Sequence, residues 1–299
     1  DGAQAKCTPL LIADCIYDEP VELLNSMGFK NPGMWTGGGT IDLGKEPSLV
    51  DLLFSLEHDN LTLFGIQNSN FTSQIAWRDD YLIFNNLKSD VLGGHVSGNL
   101  NIGIENFEMP TFRAIADATK INLNQIASHL PNKNKIDGLA DIKFSLKDGY
   151  IKDPDTWEAA GVIKLQDGDL WSIPLFGAVS SIVDGIVPGL GHSVFKSGEI
   201  NWSMKNGIID LLKCNFSSSK FGITATGKIS TNGNVNGSGK VKFFQAKSPL
   251  QRMLNLSLSP FTESLKFRVQ GPLTTPNITP SYFIPRIILN PLNPDKWIK

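Results

Sequence analysis

Four histidines, His58, His95, His129 and His192, are the first candidates for metal or acid–base chemistry, and their spacing offers neither. A zinc centre usually shows itself as paired His or Cys ligands a few residues apart, and no two of these stand at such a distance. The three cysteines add nothing to them. No C-x-x-C occurs. Cys7 and Cys15 are free to pair with each other or to remain thiols, and Cys214 sits in a strand pattern where an inert, buried thiol is expected. There is no G-x-S-x-G elbow for a nucleophile. Gly189-Leu-Gly-His-Ser-Val-Phe-Lys-Ser197 has the outline of a phosphate loop. Phe195, however, stands where the glycine before the lysine belongs, and the segment follows a helical pattern rather than a strand, so it reads as a turn. Asp79-Asp80 and the Asp153/Asp155 pair are adjacent carboxylates in turn-forming surroundings, which turn chemistry explains. The reading is a protein without catalytic, metal or cofactor centres.

What remains to be positioned is apolar surface. Hydrophobic residues make up 41% of the 299 and charged residues only 19%, with 28 glycines and a net charge of −2. No basic run suggests a nucleic-acid surface. No stretch of about 18 apolar residues suggests a membrane-crossing helix. The opening residues, Asp1 to Lys6, lack the basic start and apolar centre of a signal peptide.

The dominant period is two. Phe71, Ile75 and Trp77 share one face of a strand, and Tyr81–Leu87 follows after the turn at 78–80. Val96, Leu100, Ile102 and Ile104 alternate with Ser97, Asn99, Asn101 and Glu105. Ala140, Ile142, Phe144 and Leu146 alternate with Asp141, Lys143 and Ser145. One apolar and one wet face is the mark of an antiparallel sheet. Further strand patterns run through Thr40–Leu43, Leu61–Ile66, Gly161–Leu165, Ile200–Met204, Phe221–Ile229, Gly237–Phe243 and Lys266–Gln270.

Short helical patterns interrupt them. One is Val21–Met27. Pro47–Glu57 shows Leu49, Leu52, Leu53 and Leu56 at helical spacing, and Ile121–Leu130 shows Leu123, Ile126, Ala127 and Leu130. The stretch from Ala160 to Ser230 is the organising centre. After a turn at 166–169, Leu175, Val179, Ile182 and Ile186 make the apolar stripe of an amphipathic helix that starts near Pro174 and is ended by Pro188 and Gly189. Pro272, Pro276, Pro280, Pro285, Pro291 and Pro294 exclude the tail from a central strand.

The fold class is mainly β: a long curled antiparallel sheet forming an apolar groove, with a few short amphipathic helices. A dozen strands at about 4.8 Å each would span nearly 60 Å if flat. A face that large must curl, close or be covered. The groove would be lined by Ile142, Phe144, Leu146, Ile163, Leu165, Ile200 and Trp202. Met204, Phe221, Ile223, Val241, Phe243, Phe267 and Val269 would continue it.

Three pieces of the chain resemble the AsmA-like family of bacterial envelope proteins, relatives of TamB and of the repeating β-groove lipid-transfer proteins. The first is Lys88-Ser-Asp-Val-Leu-Gly-Gly-His-Val-Ser-Gly-Asn-Leu100. The second joins Lys120-Ile-Asn-Leu-Asn-Gln-Ile-Ala127 to Ile136-Asp-Gly-Leu-Ala-Asp-Ile-Lys-Phe144. The third runs from Leu165-Gln-Asp-Gly-Asp-Leu-Trp-Ser-Ile-Pro-Leu-Phe-Gly177 through Ile186-Val-Pro-Gly-Leu-Gly191 to Met204-Lys-Asn-Gly-Ile-Ile209, and Val269–Pro276 follows the same pattern. The resemblance covers about residues 35–285. It divides the chain into an irregular lead-in at 1–34, the β-groove domain at 35–285 and a proline-rich tail at 286–299. It implies a periplasmic lipid-binding and lipid-transfer module that supports outer-membrane homeostasis. The partners would be phospholipid or another acyl lipid, with inner- or outer-membrane proteins and without nucleic acid. Family members usually begin with a membrane anchor, so tethering to the inner membrane would need an upstream segment that this chain lacks. The alternative class is a non-catalytic β-rich scaffold or adhesive protein that binds a protein or glycan through exposed aromatics such as Trp35, Trp77, Trp157 and Trp297.

Overall fold

The computed structural model describes residues 3–7, 33–42, 49–63, 65–106, 108–128, 136–169, 195–243 and 265–281. Among them one architecture dominates. Fifteen strands form a single sheet in which every strand lies beside its sequence neighbours. They are β1 (Ala3–Cys7), β2 (Gly33–Asp42), β3 (Leu49–Leu63), β4 (Ile66–Arg78), β5 (Tyr81–Val91), β6 (Gly94–Gly103), β7 (Thr111–Asn122) and β8 (Asp137–Tyr150). Then come β9 (Asp153–Asp169), β10 (Phe195–Lys205), β11 (Ile208–Ser218), β12 (Phe221–Ser230), β13 (Asn234–Phe243), β14 (Leu265–Pro272) and β15 (Asn277–Pro280). Among the described residues the first and last strands are the edges, and no pairing closes the sheet into a barrel. One helix stands among the described residues, α1 (Leu123–Ser128). It falls inside the expected helix at 121–130.

Several expectations change. Within the leucine pattern at 47–57, the described residues 49–57 belong to strand β3, not to a helix. Val50, Leu52, Phe54 and Leu56 point to one side, whereas Leu53 points away and is 55% exposed. Alternation with β-branched and aromatic residues outweighs the coincidental helical spacing. Leu61–Ile66 is not one strand but the end of β3, a turn at Gly65 (φ 79°) and the start of β4. The turn at 166–169 is absorbed into β9, where Asp167 adopts φ 48° inside a continuous strand. Strand β1 lies within the expected lead-in and pairs with β2, Ala5 opposite Trp35. The expected helices at 21–27 and 174–190, with Leu175, Val179, Ile182 and Ile186, lie outside the described residues.

Local chemistry sets the hairpins. Between β10 and β11, Asn206 and Gly207 both take positive φ (52° and 68°), the type I′ geometry that matches strand twist. Between β11 and β12, the Ser218 hydroxyl accepts from the backbone N–H of Phe221 at 3.0 Å and of Lys220 at 3.1 Å. Between β4 and β5, Asp79 turns with φ 46°.

The chain divides into two compact units, the first holding Asp1–Ile126, Ala140–Gly161 and Met204–Gly207, the second Ala127–Leu139, Val162–Ser203 and Ile208–Lys299. In the first, register stacks apolar residues in rows. Leu52, Trp77, Leu82, Ile102 and Phe112 lie opposite one another across five strands, and so do Phe54, Ile75, Phe84, Leu100 and Ala114. Leu52, Ile75, Trp77, Leu82, Phe84 and Ile102 of these rows form one buried cluster with Trp35, Leu56 and Phe71, and Phe54 and Leu100 pack partly buried against it. The opposite face is wet and carries exposed ion pairs such as Arg78–Asp51 at 3.2 Å. In the second unit, Phe216, Ile223, Val241 and Leu265 form an equivalent row over β11–β14. Phe195 packs on Phe216 and Phe221 at ring-centre distances of 5.6 and 5.9 Å.

Candidate functional site

The residues that might do chemistry are occupied with structure. Asp79 spans the β3–β5 corner: its N–H donates to the Val50 carbonyl at 2.9 Å, and the Trp77 indole donates to the Asp79 carbonyl at 3.1 Å. Asp153 holds an Asx turn, its carboxylate accepting the Asp155 N–H at 3.1 Å. His58 is buried and its Nδ1 accepts the Asn60 N–H at 3.1 Å. His95 is exposed beside Asp90. The Asn70 amide, donating at 2.6 Å, and then His95 hold the Asp90 carboxyl below the usual carboxylate range. His129 and His192 lie outside the described residues. Among the described residues no three His, Cys, Asp or Glu side chains converge on a metal site.

The apolar face of the sheet is the remaining candidate, and it is not uniform. In the first unit, most of the apolar rows over β2–β5 are buried, with Phe54, Leu63 and Leu87 half-buried, and β6–β8 are less covered. Ile142 and Phe144 are half-buried there, as are Val96, Leu100, Phe112 and the alanines at 114, 116 and 118. Leu146 and Met204 are buried. In the second unit, Ile163, Ile200 and Trp202 are half-buried, while Leu165, Phe221, Ile223, Val241, Phe267 and Val269 are buried. Phe221 and Val241 are both at 0% exposure. Phe243 is placed in β13, its side chain outside the described set. Apart from Phe243, the expected groove residues thus separate into eight buried members and five half-buried ones, Ile142, Phe144, Ile163, Ile200 and Trp202, which lie on β8–β10.

Sequence reasoning missed strand β7. Its inward residues are Phe112, Ala114, Ala116 and Ala118, while Ile115 faces outward at 60% exposure. The signal was the strict alternation Phe-x-Ala-x-Ala-x-Ala, muted because alanine is small and a poor strand former. The aromatics expected on the outside are also corrected: Trp35 and Trp77 are core residues at 7% and 5% exposure. Trp157 is half-buried against Phe112, ring centres 5.3 Å apart, and Trp297 lies outside the described residues.

The polar face of the second unit carries a shallow cavity of about 670 Å³. Lys164, Lys240 and Lys242 line it with Ser197, Asn215 and Thr224, and Glu199 contributes one carboxylate. That carboxylate accepts from the Asn201 amide at 3.0 Å. No protein-family model, no curated protein and no solved structure matches the chain.

Proposed function

We propose that this chain is a lipid-binding and lipid-transfer module of the AsmA-like kind, working in the bacterial envelope without catalysis. The apolar face of its sheet serves as the floor of a groove for phospholipid acyl chains. One observation carries the reading: large apolar side chains on this face remain half-buried, Ile142 and Phe144 on β8 in the first unit and Ile163, Ile200 and Trp202 on β9 and β10 in the second, whereas Leu52, Trp77, Ile223 and Val241 on the same face are buried. Half-covered apolar surface is unfavourable in water by about 25 cal/mol per Å², and an acyl chain laid on it removes that cost without any specific hydrogen bond. A non-directional ligand suits a floor made of Ile, Phe and Ala. The scaffold or adhesin alternative loses support, because Trp35 and Trp77, two of the aromatics it needed outside, are in the core.

The test is native mass spectrometry and lipid extraction on gently purified protein, with photo-cross-linking residues at Phe144, Ile200 and Ile115. Co-purified phospholipid at near one-to-one amounts is expected, with lipid adducts at Phe144 and Ile200 and none at Ile115 on the outer face. Lipid-free protein that also takes up no fluorescent phospholipid sinks the reading.

A further inference from the structure

Charge is unevenly spread along this chain. Residues 208–243 and 265–281 hold seven Lys and Arg against a single acid, Asp210, in a protein whose net charge is −2. The register gathers most of these cations onto one side. Lys240 lies directly opposite Lys266, and Arg268 opposite Ser238. Residues two apart on a strand share a face, so Lys240, Lys242, Lys266 and Arg268 form one lattice. Lys228 joins the same face, opposite Asn236, and takes Asp210 at 3.3 Å. Lys240, Lys242 and Arg268 are exposed and form no ion pair among the described residues.

Lys240 and Arg268 are diagonal neighbours across the ladder, within about 7–8 Å, where like charges repel. The positions opposite them, Thr224 and Ser238, carry no acid. Such a lattice is relieved by an external anion. The cavity of about 670 Å³ on this face, with Lys164, Lys240 and Lys242 in its wall beside the hydroxyl and amide groups of Ser197, Asn215 and Thr224 and the one carboxylate of Glu199, sets three cations against one acid and has donors suited to a phosphate.

We infer that the polar face of the second unit docks on an anionic phospholipid surface, with headgroup phosphates against Lys240, Lys242 and Arg268. The choice of a lipid surface rests on the acyl-chain reading above; the charge lattice does not. Between phosphate polymers and a bilayer, the face favours the bilayer. Binding of single-stranded nucleic acid relies on aromatic platforms for the bases, and strands β11–β14 present no aromatic side chain on this face. Polybasic surfaces are drawn to anionic leaflets over a Debye length of about 8–10 Å, at about 1 kcal/mol per cation, or about fivefold in affinity.

Vesicle flotation with the full chain tests this. One set of vesicles is phosphatidylcholine alone and the other contains added phosphatidylglycerol. Binding only to the second, weakening steeply with salt, is expected. The variant Lys240→Gln/Lys242→Gln/Arg268→Gln should bind roughly a hundredfold more weakly while keeping its circular dichroism spectrum. Equal binding to both vesicles, or a variant that binds like the parent, overturns the inference. So does a labelled oligonucleotide or inorganic phosphate that is bound more tightly than the vesicles at the same salt. Uptake of fluorescent phospholipid tails, measured in parallel, separates the two claims. Uptake without docking removes this inference alone. Docking without uptake removes the acyl-chain groove and leaves the docking face.

Discussion

Gly198 lies directly under an aromatic ring in the second unit. A Cβ there would meet the Phe216 ring at 2.8 Å and the Leu165 side chain at 3.3 Å. The ring lies over the bare backbone, so glycine is required by close approach rather than by its own dihedrals. Gly198→Ala must push Phe216 off Phe195, and overpacking of this kind costs about 1–3 kcal/mol. Urea denaturation should show a lower midpoint with an unchanged slope; an unchanged midpoint would mean that the ring is free to move. Cys214 reports on the same core. Burial pushes its thiol up from the ordinary 9.0 to about 11. The folded state therefore keeps the proton where the unfolded chain has lost it. This contribution to stability is intact below pH 9.0 and falls as pH rises towards about 11. With Cys7 and Cys15 changed to serine, Cys214 should resist alkylation at neutral pH until urea unfolds the sheet. Rapid labelling of the native protein would contradict its burial.

At the scale of elements, β3 shows how far patterns carry. Helical and strand periods both bring Leu52 and Leu56 inward; they disagree on Leu53. In the strand it faces water, so Leu53→Ala should stay within about 0.5 kcal/mol of the parent, while Leu52→Ala should cost about 2–5 kcal/mol. Thermal or urea unfolding of the two variants separates them, and comparable losses would restore the helix. Strands built on large alternating residues, such as Val96–Ile102 and Ala140–Leu146, were legible because each period-two position differs sharply in polarity. Strand β7 was not, since three of its inward residues are alanine and Ile115, one of its two isoleucines, faces out. Asn206-Gly207 was readable as a hairpin from chemistry alone. Pairing distances were not readable. Lys240-x-Lys242 and Lys266-x-Arg268 are two short motifs more than twenty residues apart, and only the register of β13 against β14 makes them one charged face. The edge at β15 is short, four residues ending in Pro280, which limits strand addition there.

For the whole molecule, the sequence-order sheet has a physical consequence. Each strand contacts its sequence neighbours, so apolar rows run across many strands without a long-range crossover, and the surface they present is continuous within each unit. An acyl chain on such a surface gains free energy in proportion to the length it buries. Each methylene removed from water contributes about 0.8 kcal/mol, close to fourfold in affinity. A series of single-chain phospholipids of increasing tail length should therefore bind with dissociation constants that fall by about fourfold per methylene and then level off. The levelling point measures how much half-covered floor the strands provide. Replacing Phe144 or Ile200 by Asn puts a polar group on that floor and should shorten the rising part of the series, leaving short-tailed ligands nearly unaffected. Because both side chains are already half in contact with water, neither change should unfold the sheet, and circular dichroism checks this directly. A series that is flat from the shortest tail onward would mean that tails do not lie on this face, whatever the headgroups do on the other.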